Sequence, residues 1–188
     1  MDTNRISSAS IFLAIRRARF PILTMALTYL VAVLVGIGMA HSGSDPTITA
    51  MQNGQPLLAA LSDFSSNLFL GSVPSTLGGL GVIFPYPLAA YCGWVGGIVS
   101  VDENHASRLA QPGDTIYYLV TLVLQLIPYS LAGGPGVHLG LAYYRIHSRS
   151  QAAKWYEFPW PALLDVARIY LLVVTLFLIA SLWEFLVH

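Results

Sequence analysis

Charge is scarce in this sequence. Lys, Arg, Asp and Glu make up 10% of its 188 residues, where a soluble domain usually carries about a quarter. The formal net charge is zero, so no basic field exists to attract nucleic acid, and no nucleic-acid partner is expected. Cys92 is the one cysteine, which excludes an intrachain disulfide and any CxxC metal or redox site. There is no HExxH pair and no GxxxxGK[ST] phosphate loop. His138 has no partners at metal-ligand spacing, and His105 and His147 fall in polar connectors. No nucleophile is paired with a base. We therefore expect no catalytic residues, no metal and no cofactor.

Apolar residues are abundant, at 55% of the chain. Four stretches carry no Asp, Glu, Lys or Arg: residues 20–40, 64–101, 115–144 and 169–183. A hydrocarbon core about 30 Å thick takes roughly 20 helical residues to cross. In lipid a backbone must satisfy its own polar groups, so these runs predict helices. Arg16, Arg17 and Arg19 before a run ending in Gly38-Met39-Ala40 also outline a cleaved leader. The run is long enough to span, and a retained helix is expected.

The expected fold class is all-α: a polytopic membrane helix bundle with five transmembrane helices and a cytoplasmic N-terminus. Residues 1–19 form a cytoplasmic or interfacial lead-in, and residues 20–188 form a single transmembrane domain. The loop 41–63 is polar and lacks Lys and Arg. The run 64–101 would reach about 57 Å as one helix, so it must fold back. Phe84-Pro85-Tyr86-Pro87 is the natural turn, because proline removes a donor and disfavours helix before it. Two crossings result, 64–84 and 88–101, with a re-entrant hairpin as the alternative. In the fourth helix, 115–144, Pro128 and Gly133-Gly134-Pro135-Gly136 predict a break. The connector 145–160 is basic and aromatic, suited to the membrane boundary, and the last span is 161–187.

Charge placement supports this count. Arg5, Arg16, Arg17, Arg19, Arg145, Arg149, Lys154 and Arg168 fall on the cytoplasmic side, and Arg108 alone falls outside. The C-terminus would then lie outside a cell membrane.

Several residues stand out for packing or polarity. Gly93 and Gly97 have GxxxG spacing, which serves close helix contact within the chain or self-association. Gln125 sits near mid-membrane and must bond to a neighbouring helix. Asp165 and Arg168, three apart, can pair or snorkel, and Glu184 sits near the outer end, where it can touch water. All three are expected as anchors.

Two segments carry a resemblance. Gln125-Leu126-Ile127-Pro128, Ala132-Gly133 and Gly136-Val137-His138-Leu139-Gly140 resemble the fourth helix of the stage II sporulation protein M family. Arg168-Ile169-Tyr170 through Leu178-Ile179-Ala180 to Glu184-Phe185 resembles that family's final helix. Asn67, Gly78, Gly93 and Gly97 fall near its typical asparagine and glycine positions. The likeness covers about residues 64–188. Departures occur at Gln125, Thr121 and Cys92, where the family typically has glutamate, histidine and asparagine. The resemblance implies five transmembrane helices and a non-catalytic role, such as anchoring a membrane or cell-wall remodelling complex. The expected partners are the lipid bilayer, other transmembrane proteins and a second copy of the chain. The rival expectations are a permease-like transporter component served by a separate ATPase, and a passive subunit of a larger membrane complex.

Overall fold

A computed structural model describes residues 8–42, 56–101, 106–149 and 157–186. Among these the chain is helical, and its one extended feature is a bridge between Val101 and Ser107. In order, α1 is Ser8–Arg17, α2 is Arg19–His41, α3 is Pro56–Ser66 and α4 is Val73–Gly78; α5 is Pro85–Ile98, α6 is Pro112–Arg149 and α7 is Trp160–Leu186. A π-helical segment, Asn67–Ser72, joins α3 to α4, and a 3-10 turn, Gly79–Gly81, follows α4. Three helices, α2, α6 and α7, are long and apolar enough to cross a membrane. That is the signature of a membrane protein.

α1 buries Ala14 and leaves Phe12 and Leu13 exposed, and a one-residue break at Ala18 turns the chain into α2. Residues 1–7, 43–55 of the first loop, 102–105 of the loop 102–114, 150–156 of the connector and 187–188 lie outside the described residues. The loop expected to end at Asp63 ends earlier. Helix begins at Pro56, whose ring suits the first turn, and Asp63 is helical. The turn at Phe84 stands where expected. Val82 takes φ 60° there, a conformation costly for a β-branched residue, and α5 starts at Pro85.

The break expected in the fourth helix is absent. α6 runs unbroken through Pro128 and Pro135. Residues 128–137 are buried on every side, so this stretch is the centre of the bundle. A proline costs a helix interior about 3 kcal/mol. Here neighbours enclose the backbone, and lipid offers no water to replace lost helical bonds. The small residues serve contact instead. Gly133 meets Met25 and Ser75, and Gly134 meets Ile22. Gly136 meets the backbone of Thr76, and Gly140 meets the carbonyl of Gly79. Thr76 Oγ1 donates to the Ala132 carbonyl at 3.0 Å.

Contacts fix the helix directions. Gly93 lies on Tyr29 and Gly97 on Val33 and Gly36, so α5 runs parallel to α2. Tyr129 meets Asn67, Thr76 meets Ala132 and Gly79 meets Gly136, so the 56–81 segment runs parallel to α6. Ile22 meets Gly134 while Tyr29 stacks on Tyr129, so α2 and α6 are antiparallel. Tyr117 meets Glu184 while Leu139 packs with Ala162 and Val166, so α6 and α7 are antiparallel too. Direction therefore alternates through α2, 56–81, α5, α6 and α7. Tyr29, Tyr129, Ile169, Val173 and Phe177 fill the core.

Candidate functional site

Two polar clusters lie along α7, separated by apolar packing. The first forms around Asp165, which is buried. Arg168, one turn on, bonds its Oδ1 at 3.3 Å, as the spacing predicts. Arg17 of α1 reaches its Oδ2 at 3.1 Å. His138 lies within electrostatic reach of Asp165, Arg17 and Arg145. Arg17 is half exposed, so this ion pair is well solvated on one side. Its role is to hold α1 against α7.

The second cluster lies near the C-terminal end of α7. Asp63 Oδ2 accepts from Asn67 Nδ2 at 2.9 Å and from Ser181 Oγ at 2.7 Å. Asn67 Oδ1 accepts from the Tyr129 hydroxyl at 2.7 Å. One turn beyond Ser181, Glu184 Oε2 accepts from Gln125 Nε2 at 2.8 Å, and its carbonyl accepts from the Tyr117 hydroxyl at 2.7 Å. Asp63 and Glu184 are close enough to act on each other's charge. Three segments supply this network. α3 and the π-helical turn bring Asp63 and Asn67, α6 brings Tyr117, Gln125 and Tyr129, and α7 brings Ser181 and Glu184. The wide π-helical turn also sets Gly71 against the Tyr129 ring. Such turns occur often at functional sites.

Tyr129 is the hub. Its ring stacks on Tyr29 at 6.1 Å and meets Phe177 edge-on at 4.9 Å, while its hydroxyl holds Asn67. The Tyr29 hydroxyl is buried without a hydrogen-bond partner among the described residues. It lies within electrostatic reach of Cys92, Tyr118 and Glu184.

Of the residues singled out in the sequence, Asn67, Gln125 and Glu184 converge here. Glu184 was expected to touch water; it accepts an amide proton from Gln125 instead and is only partly exposed. Asp165 and Arg168 stand at the other cluster. Gly93 and Gly97 face α2, while Pro128, Gly133, Gly136 and Gly140 belong to the contacts of α6. Gly78 sits beside Phe84 at the turn. Sequence reasoning missed Asp63, Ser181, Tyr129, Tyr29 and Arg17. The four-residue spacing of Asp63 and Asn67, with Ser181 and Glu184 three apart, was the available signal for part of the cluster.

Among the described residues, no three His, Cys, Asp or Glu side chains group as a metal site. The cluster offers two carboxylates, two amides and several hydroxyls, a set suited to holding charge in fixed positions. Compared with protein-family models, curated proteins and solved structures, the chain matches none.

Proposed function

We propose that the chain is a five-crossing integral membrane scaffold or accessory subunit, acting through helix contacts with other membrane proteins and with a second copy of itself. The observation that supports this most is the filled centre. Tyr29, Met25, Ile169, Val173 and Phe177 are fully buried and fill the interior of the bundle with apolar and aromatic side chains. Outward-facing side chains of α2, such as Leu27, Val31 and Leu34, are exposed and apolar, available to lipid or a partner helix. The resemblance to the stage II sporulation protein M family points the same way, toward anchoring a membrane or cell-wall remodelling complex.

The alternating directions support five crossings. Besides the three long helices, Pro56 to Gly81 is helical in series and reaches roughly 39 Å. α5 is shorter, roughly 21 Å, and lies alongside α2. With the basic N-terminal flank in the cytoplasm, α7 ends outside a cell membrane. Labelling of Ser148→Cys and Ala106→Cys, each in a Cys92→Ala background, checks this orientation. The first should react only from the cytoplasm and the second only from outside.

Photo-crosslinkers at Leu27 and Val31 in native membranes test the scaffold itself. They should capture one defined membrane partner, or the chain itself, and Val31→Trp should abolish the capture. Lipid adducts alone at both positions would end this reading. A second reading, a transporter subunit with a separate ATPase, is favoured by the Asp63–Glu184 cluster, because ionisable groups within a bundle often mark ion paths. ATP-dependent solute movement in liposomes carrying both proteins would select it.

A further inference from the structure

One carboxylate holds two guanidinium groups where α1 meets α7. The two oxygens of Asp165 accept from Arg17 Nη1 at 3.1 and 3.4 Å, and Oδ1 also accepts from Arg168 Nη1 at 3.3 Å. Asp165 is buried and Arg17 is half exposed. The triad therefore keeps a positive charge after its internal pairing. Arg16 and Arg19 flank Arg17 in the chain and add to that surplus. Both are exposed, and neither forms an ion pair among the described residues. The sequence gives them no local carboxylate, because residues 3–44 contain no Asp or Glu. Glu157, ahead of α7, pairs with none of these arginines.

The bonding pattern leaves donors available to an anion. Arg17 spends one nitrogen on Asp165, and its Nε–Nη2 edge matches two oxygens of a phosphate. Arg19 sits over the Phe20 ring, 4.7 Å from its centre, a contact that fixes the group without cancelling its charge. The same segment exposes large apolar side chains. α1 turns Ala14 inward and presents Phe12 and Arg16, four apart, on its outer side. Phe12 is 69% exposed and Phe20 66%, with Leu13 exposed beside Phe12. Rings interleaved with arginines suit the boundary between headgroups and acyl chains. α2 begins at Arg19, so the arginines stand where the chain enters the hydrocarbon.

We propose that the segment from Phe12 to Phe20, braced against Asp165 and Arg168 of α7, binds the headgroup phosphate of an anionic phospholipid. Arg16, Arg17 and Arg19 supply the charge and the donors, and Phe12, Leu13 and Phe20 meet the adjoining acyl chains. A zwitterionic headgroup is disfavoured, because its ammonium would enter a group of arginines with no free carboxylate to receive it. A lipid fits better than free phosphate, which would leave the exposed rings without a partner. The site rests on the chain's place in a membrane and not on the scaffold reading.

Native mass spectrometry of the full chain in a neutral detergent tests the proposal, with phosphatidylglycerol and phosphatidylcholine titrated separately. The first phosphatidylglycerol should bind at least about tenfold more tightly than phosphatidylcholine. The double variant R16Q/R19Q leaves the Arg17–Asp165 bond in place and should weaken phosphatidylglycerol roughly 25-fold, about fivefold per arginine. R108Q, ahead of α6 and away from the site, should bind like the parent. Millimolar inorganic phosphate should leave the lipid bound. Equal retention of the two lipids overturns the proposal, as does a double variant that binds like the parent. A loss in R108Q as large as in R16Q/R19Q would reduce the effect to overall charge and also overturn it. Full displacement by inorganic phosphate would show a phosphate site and not a lipid surface. Should the double variant fail to fold, salt decides on the parent protein. Retention of phosphatidylglycerol should fall as salt rises while that of phosphatidylcholine stays constant, and a preference indifferent to salt refutes the site.

Discussion

Replacing Gly97 with alanine should separate helices that now touch through backbone alone. A Cβ at Gly97 would fall inside contact distance of the Val33 carbonyl and close to the Gly36 Cα. These are backbone atoms, which cannot swing aside as a flexible side chain would. Overpacking of this kind costs about 1–3 kcal/mol. Gly38 supplies the control, because a Cβ there meets nothing within 4 Å. Relieved of glycine's extra chain entropy, Gly38→Ala should gain about 0.5–1 kcal/mol. The two variants carry the same chemical change on neighbouring helices with opposite signs, separated by about 1.5–4 kcal/mol. For a chain of this length that is a gap of roughly 3–16 °C in unfolding midpoint. Tryptophan fluorescence in detergent can follow it, since the Trp94 carbonyl lies against Gly36 and its indole reaches Met39 Sδ at 3.3 Å. If Gly97→Ala proves neutral or matches Gly38→Ala, the parallel contact of α2 with α5 is wrong.

Other perturbations follow from the same contacts. Tyr129→Phe keeps the edge-on packing with Phe177 but removes the bond to Asn67; a loss of about 1–2 kcal/mol in denaturant unfolding is expected. Asn67→Ala in the Tyr129→Phe background should add less than it does alone, which a double-mutant cycle would read. Asp165→Asn should cost about 1–2 kcal/mol, less than a fully buried pair, because Arg17 can turn to water. It should also raise amide exchange in residues 8–17, whereas an unchanged exchange rate would show that α1 is held by packing alone. Val82→Gly should stabilise the turn by about 1 kcal/mol, because φ 60° suits glycine and strains valine; a lower melting point would contradict that reading of the turn.

The helical runs were legible because lipid as solvent leaves a simple trace: long stretches without charge. α2 and α7 end within one residue of the expected boundaries at both termini. The turn at Phe84-Pro85 was legible for the same reason that it forms, the loss of a donor and the restriction of the preceding residue. Proline misled inside α6. Local preference favours a break there, yet burial on every side decides the outcome, and burial is a property of neighbours far away in sequence. Asp63 was hidden by the rule that found the spans. A carboxylate appeared to end an apolar run, but its partner Ser181 lies 118 residues away. The Tyr129 hub was invisible for a similar reason, since nothing local distinguishes it from the chain's other tyrosines. Gly93 and Gly97 were readable as a contact surface, and the helix they contact was not.

Arg17 and Asp165 are 148 residues apart, and the bond between them ties the opening helix of the described chain to its last. At ribosomal rates of about 5–20 residues per second, the arginine is made roughly 7–30 s before its acceptor exists. During that interval the opening segment has only its own sequence and the membrane surface to hold it. Its docking therefore waits until α7 has been made. A chain halted before residue 160 would keep its amino-terminal arm unlatched, a difference that a quality-control protease could use to tell copies without α7 from copies that have it.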